Sequence, residues 1–543
     1  MSEEKKLSVS EQKEQKKQEL AHRHEALEQE LGRLVNPKSV NDLTRALRLE
    51  GQKWRNEHTK INGQTLEVKV PPVTPRACAD ILKKYLVFAL IGNTDKALEH
   101  APLTFWRLDT GIYTHSNKML REYINQVENT ISKPRADTVI YYLTVEAPDR
   151  VLETRPYLQP VGNGIVNLKT DELIPYGPSY VFTSKIATDY NPNAKEPKFK
   201  GWSFSKWIND DIAEGNEDKI TMFWQCVSCI LTPNDNKKAS LLLVDDGKGN
   251  TGKSTMQQLF INLVGKEHLA SLKIKEFQED FKLANAYGAS LIIGDDNNPA
   301  DFIADSSNYK SVVAGEEMLF NPKGEAPFTA KLMAFVAQSM NGIPRFKDNS
   351  DANYNRFRVL YFHKHYGDKE LNPNVKSKYV KDKRLLEWVL YKGLHVKPFR
   401  TVVKTEESNQ ILKGIQIDND PVLGFVENHL DEFYSTRIPV KALFKTFMAV
   451  CDDENNHQQI KQQTFTRRIK PFMEKHGWHY DRRNKSPLEA WHDKDRDLIG
   501  YYHGNGKYDY SIKPNVTQGL FYKDQLSVLR VHFSILSVNC RLL

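Results

Sequence analysis

Ser240-Leu-Leu-Leu-Val-Asp-Asp-Gly-Lys-Gly-Asn-Thr-Gly-Lys-Ser-Thr255 runs an apolar strand into a glycine-rich loop, and a helical pattern follows from Met256 to Val264. Gly247, Gly249 and Gly252 admit backbone conformations barred to other residues, so successive N–H groups and a helix N-terminus can converge on one phosphate chain. In such a cradle Lys253 meets the β and γ phosphates of a nucleoside triphosphate, and the Ser254 hydroxyl ligates Mg²⁺. Asn250, Thr251 and Thr255 complete the set expected to touch the nucleotide. A glycine-rich turn that matched by chance would lack the flanking strand and helix in this order. The stretch therefore predicts an α/β core that binds and hydrolyses ATP with Mg²⁺.

Two further apolar runs extend that core. Ala289-Ser-Leu-Ile-Ile-Gly294 ends in Asp295-Asp296, and Leu332-Met-Ala-Phe-Val-Ala-Gln-Ser-Met340 leads into Asn341-Gly-Ile-Pro344. Acidic residues at the tip of a strand beside the phosphate strand can bind Mg²⁺ through water and orient or deprotonate an attacking water. The metal is assigned to Asp295 and the water to Asp296, in an order the sequence leaves open. Asn341 is the candidate to hydrogen-bond the γ-phosphate or the hydrolytic water, with a turn-forming Asn before Gly as the competing reading.

The rest of the chain bounds the class. A length of 543 residues suggests three or four domains, each able to bury its own core. Five cysteines, Cys78, Cys226, Cys229, Cys451 and Cys540, form an odd and sparse set, which argues for a reducing compartment. Cys226-x-x-Cys229 stands inside an apolar helical run without a second Cys/His pair nearby, so a buried helix face is expected there and not a zinc site. The first residues hold no apolar leader core and no run of 18 apolar residues occurs, so a cytoplasmic protein without membrane spans is expected. Residues 3 to about 33 read as a charged helix with a thin leucine stripe, and 101–200 as a small mixed α/β module.

The three stations, Gly247 to Ser254, Asp295-Asp296 and Asn341, resemble in order and spacing the superfamily-3 helicases of the AAA+ class, in particular the phage, plasmid and poxvirus-type primase-helicase family. Asn163-Gly164 to Leu173 and Thr188 to Pro192 are similar to the region before the ATPase in that family. Tyr309 to Glu317 and Phe320-Asn-Pro-Lys323-Gly324 to Phe328 resemble its extra motif, which implies a hairpin that grips single-stranded DNA in the channel of a hexamer, with Lys323-Gly324 at the tip. Lys310 and Lys331 are weaker candidates for the same groove. Asn353-Tyr-Asn-Arg356-Phe-Arg358 resembles the family's arginine-bearing segment, and Arg356 is favoured over Arg358 as a residue acting on a neighbouring subunit's nucleotide. The chain departs from many relatives in carrying Asp-Asp where they have a glutamate, and no primase domain is evident, so priming would come from a separate protein.

A basic module follows. Val422–Leu430, Val440–Met448 and Gln462–Lys475 read as helices, and His476 to Tyr510 alternates like a β-wing, which together predict a winged helix. Between Arg437 and Lys485 stand eleven Lys/Arg against five Asp/Glu, most of the chain's net +8. Thr464, Thr466, Arg467, Arg468 and Lys470 are expected to face duplex DNA, with Phe465, Ile469 and Phe472 in the core, and Arg482, Arg483 and Lys485 to meet phosphates or a minor groove.

The expected architecture is therefore a multidomain α/β chain: a charged helical region at 1–100, the α/β module at 101–200, an AAA+ core of parallel sheet flanked by helices at 201–400, a winged-helix domain at 415–515 and an unassigned tail at 516–543. The expected function is an origin-binding replication initiator and ATP-dependent helicase moving 3′ to 5′ as a hexameric ring, most similar to the initiators of staphylococcal pathogenicity islands. The alternative is an ATP-dependent DNA-binding regulator that assembles without unwinding.

Overall fold

The computed structural model describes residues 8–62, 64–92, 95–324, 326–453, 459–482, 495 and 519–523. They form two compact units, one of residues up to 344 with 355–405, the other of 345–354 with the described residues beyond 405.

The first unit opens on helix α1 (Val9–Gly32), whose N-cap Ser8 accepts from the Glu11 N–H at 3.3 Å while the Glu11 carboxylate accepts from the Ser8 N–H at 2.7 Å. This reciprocal cap satisfies two orphan donors. Its far end is tied to α2 (Val40–Glu57) by Lys53–Glu28 at 2.7 Å and by Arg45–Glu30. Leu43 and Leu47 of α2 enter a core shared with α3 (Pro75–Tyr85), α4 (Asn117–Val127) and α5 (Lys133–Glu146). Against these helices lie strands β1 (Phe88–Ile91), β2 (Leu103–Trp106), β3 (Tyr113–Thr114) and β4 (Asp149–Arg150), in the order β3-β2-β1-β4.

The boundary expected at residue 100 is thus corrected, because β1 pairs antiparallel with β2 across it. A four-residue apolar run reads equally as helix or strand until its partner is known. An antiparallel meander follows, β5 (Leu158–Val161), β6 (Gly164–Asn167) and β7 (Glu172–Ile174).

A π-helical turn, Trp207–Ile212, precedes α6 (Glu217–Leu231), in which Cys226 and Cys229 are both buried. Burial pushes the Cys226 thiol up to about 12, as suits a packing residue. The central sheet is parallel. It contains β8 (Ser240–Val244), which leads through the glycine loop to α7 (Lys253–Val264), then β9 (Leu269–Ser271) and β10 (Leu291–Asn297). A hairpin of β11 (Glu317–Phe320) and β12 (Phe328–Lys331) intervenes before β13 (Phe335–Met340) and β14 (Phe357–Tyr361).

The strand order is β9-β10-β13-β8-β14. The acidic strand is therefore not beside the phosphate strand, as expected from sequence; β13, which carries Asn341 at its end, lies between them. Parallel crossovers leave strand order free, and the linear sequence does not state it. Leu241, Leu243, Ile293, Ala337 and Leu360 pack with α6, α7 and, after the short α8 (Pro373–Ser377), α9 (Lys383–Leu394). Leu242, Ile292, Val336 and Val359 alternate to the other face and are equally buried, as expected of a sheet covered on both sides.

The second unit contains α10 (Pro421–His429), β15 (Arg437–Pro439), α11 (Val440–Asp453), α12 (Gln462–Lys475), β16 (Trp478–Asp481) and β17 (Leu520–Lys523). Its antiparallel sheet has the order β15-β17-β16, so Leu520–Lys523, expected in an unassigned tail, is its central strand. Phe465, Ile469 and Met473 are the buried residues of α12, one every four positions, and Phe472 is half-buried at their edge instead of in the core. Among the described residues no helix is long and apolar enough to cross a membrane.

Candidate functional site

The loop between β8 and α7 turns left-handed at Gly247 (φ 81°), Gly249 (φ 80°), Asn250 (φ 52°) and Gly252 (φ 97°). Three of these are glycines and the fourth is an asparagine, the residue types for which that region costs least, so the sequence dictates the loop's path. Gly252 is also the N-cap of α7, which aims the first helical N–H groups into the loop.

Lys253 has its three donors engaged: Asp245 Oδ1 at 2.6 Å, the Met340 carbonyl at 2.8 Å and Asn341 Oδ1 at 2.6 Å. Two elements predicted separately, the phosphate loop and the end of β13, thus meet on one ammonium. Asp245, within the motif, has no role that its sequence alone predicts. It is buried at 2% exposure and also accepts from Thr251 Oγ1 at 2.7 Å and the Gly247 N–H at 3.0 Å. Burial raises its carboxyl pKa, but the bonds from Lys253, Thr251 and Gly247 outweigh this and hold it below the usual carboxylate range. The position of an acid at the first turn after the strand is the signal that could have identified it.

Asp295 and Asp296 are exposed on a bulge of β10. Gly294 pairs with Gln338 and Asn297 with Met340, so one extra residue is accommodated there, and Asp296 takes φ 51°. Buried Asn297 fixes the bulge by donating to Gln338 Oε1 at 3.0 Å and the Ser339 carbonyl at 3.1 Å, while accepting from the Ile274 N–H at 2.8 Å. Ser339 Oγ donates to Asp295 at 3.3 Å. Periodicity misses both amides, because a buried Gln or Asn in a strand looks like an interruption.

Gly247, Lys253, Ser254, Asp295, Asp296 and Asn341 line one cleft of about 990 Å³. Its far wall is a segment that sequence reasoning missed. Lys364 and Tyr366 both bond Asp211 of the π-helical turn, at 2.7 and 2.9 Å, and the Tyr366 N–H donates to the Asn250 carbonyl at 3.0 Å. Lys376 of α8 donates to Ser254 Oγ at 2.9 Å. The Ser254 hydroxyl and the Asp295 carboxylate supply oxygen donors on one cleft, a set that fits Mg²⁺ completed by phosphate oxygens and water.

The remaining predicted residues lie elsewhere. Lys323 and Gly324 are exposed in the turn of the β11–β12 hairpin, with Gly324 at φ 81°. Phe320 and Phe328, the last strand pair before the turn, stack at 5.5 Å, each against Tyr287. The Arg356 carbonyl accepts from the Ser240 N–H at 2.8 Å, which places this residue at the entry edge of β8, whereas the phosphate loop leaves its exit edge. Arg358 is buried at 5% exposure and donates to the Val402, Asn355 and Phe357 carbonyls, so it is a structural cation.

In α12, Arg467 is exposed, but Arg468 pairs with Asp420 at 2.6 Å and Thr466 donates to the Gln462 carbonyl at 2.8 Å. Lys470 lies 5.6 Å from the Tyr480 ring centre, Thr464 is half-buried and Arg482 is exposed. Arg468, expected to face DNA, thus braces Asp420, the N-cap of α10. Arg483 and Lys485 fall outside the described residues.

The fold and cleft define a multidomain α/β protein built on a parallel sheet with a glycine phosphate-type loop at the exit of an inner strand. Three family models match it: D5 N terminal like over 76–208, a family of unknown function (DUF5906) over 246–356, and Poxvirus D5 protein-like over 417–501. The two D5-type matches support the phage and poxvirus-type primase-helicase resemblance, and with it a replication-associated, DNA-binding protein of the helicase/primase class. Among solved structures, the A form apo structure of the NrS-1 C terminal region is 12% identical, with a TM-score of 0.45 and coverage of 74% of this chain and 94% of that one. The apo structure of NrS-1 C terminal region (305-718) is 13% identical, with a TM-score of 0.46 and coverage of 77% and 97%.

Proposed function

We propose that the chain is an ATP-driven, superfamily-3-type DNA helicase and origin-binding initiator of a phage-like mobile element, akin to the initiators of staphylococcal pathogenicity islands. The observation that carries this reading is the convergence of Lys253, Asn341 and the phosphate loop on one point of the cleft. Lys253 would exchange one of its internal acceptors for the β and γ phosphates, and Asn341, released by that exchange, could bond the γ-phosphate or the attacking water. Asp296, on the bulge, would orient that water or accept its proton. Ser254 and Asp295 would hold Mg²⁺, which neutralises phosphate charge when bound.

Arg356 supports a ring. About five strand residues separate it from its own loop, roughly 16 Å at 3.3 Å per residue, and the family resemblance assigns such an arginine to a nucleotide held by an adjacent copy. A hexamer around single-stranded DNA, moving 3′ to 5′ with Lys323 on backbone phosphates, follows from the family resemblance. From Pro421 onward the second unit runs helix-strand-helix-helix-strand-strand, which supports the winged-helix reading, and exposed Arg467 and Arg482 suit origin duplex contacts. Replacing Lys253 with Ala should abolish ATP hydrolysis and leave duplex binding intact; loss of duplex binding by a folded variant would contradict separate sites.

A further inference from the structure

Ser254 Oγ carries a cation already. Lys376 Nζ donates to it at 2.9 Å, from α8 on the opposite side of the chain order from the loop, and both side chains are exposed in the cleft. If Ser254 is to ligate Mg²⁺ at about 2.1 Å, the ammonium cannot keep its place, because two cations would then share one oxygen. Lys376 must move, and the question is to what.

Apart from Asp296, which the reading above assigns to the attacking water, the anions of the cleft are committed. Asp245 accepts from Lys253, Thr251 and Gly247, and Asp211 accepts from Lys364 and Tyr366. Glu370 accepts from the Gly367 N–H, and Asp295, the metal candidate, would be neutralised by the ion. The polyphosphate is then the richest acceptor within reach. A flexible lysine stem on a five-residue helix can follow it without disturbing the sheet.

We infer, resting on the nucleotide reading above, that Lys376 is a second phosphate-binding lysine supplied by the same chain: Ser254 holds it at the mouth of the phosphate loop, and it moves onto the terminal phosphates when a metal-loaded nucleotide enters. The contact couples occupancy of the loop to α8. It also requires no neighbouring copy, unlike the role given to Arg356.

The test is equilibrium binding of fluorescent ATP and ADP analogues to the full chain at low protein concentration, with Mg²⁺ or with EDTA. With Mg²⁺, K376A should bind the triphosphate at least tenfold more weakly than wild type, the diphosphate less so, and K376R should recover most of the loss. The deficit should shrink in EDTA, where Lys376 stays on Ser254. Triphosphate binding by K376A as tight as wild type, or tighter because a mere placeholder has been removed, would overturn the inference while leaving the nucleotide reading intact. K253A marks that reading separately: binding by wild type that K253A removes upholds it, and no binding by wild type overturns both.

Discussion

His268 shows how a single buried ring can tie stability to pH. It is 7% exposed, beside Arg107 and the Glu267 side chain in a small cavity of about 120 Å³. Burial, then the charges of Lys185 and Arg107, lower its pKa from 6.5 to about 4. The folded state therefore resists a proton that the unfolded chain accepts, so stability is full above pH 6.5 and falls as pH drops from 6.5 towards 4. At pH 5 the loss attributable to this ring is about 2 kcal/mol. Urea unfolding of wild type and H268Q at pH 7.5 and 5 should show a smaller pH-dependent loss in H268Q; equal losses would remove the assignment. Asp245 contrasts with it, since a depressed carboxyl pKa contributes stability at neutral pH that is lost as the pH falls below the ordinary carboxylate value.

Among elements, two contacts make opposite demands. Gly51 brings α2 so close to α4 that an added Cβ would lie 2.0 Å from the Val127 carbonyl oxygen, a backbone atom that cannot turn aside. Arg55 donates to that same oxygen at 3.1 Å and to buried Glu128 at 3.0 Å, so separating the helices would also strain an ion pair. G51A should cost at least 1–3 kcal/mol, read as a lowered unfolding midpoint of the N-terminal helices, and an unchanged midpoint would show that the helices can slide. The β11–β12 hairpin instead has Lys323 and Gly324 exposed beyond an aromatic pair that closes the turn. K323A should leave folding and basal ATP hydrolysis near wild type and stop strand displacement, and normal unwinding by that variant would take the hairpin out of the translocation path.

For the whole molecule the position of Arg356 carries the most weight. On the proposed reading, in which Arg356 acts on a nucleotide held by an adjacent copy, hydrolysis per chain should rise with protein concentration until rings are complete. Mixing R356A with K253A chains should restore part of the activity that each lacks alone, since some interfaces then pair an intact loop with an intact arginine. A rate per chain that is independent of concentration, with no recovery on mixing, would contradict the ring.

The sequence by itself determined whatever depends on neighbours along the chain. Left-handed turns demanded glycine or asparagine at Gly247, Gly249, Asn250 and Gly252, and the four-residue period of α12 separated exposed Arg467 from buried Phe465 and Ile469, because backbone sterics and helical pitch act over a few residues. The tertiary structure decided whatever joins distant segments. The placing of β13 between the acidic and phosphate strands, the capture of Lys253 by Asn341, the pairing of Arg468 with Asp420 and the closure of the last sheet by Leu520–Lys523 all join segments tens of residues apart. Loop closure over tens of residues leaves many pairings open to the same local pattern, and burial in three dimensions selects among them.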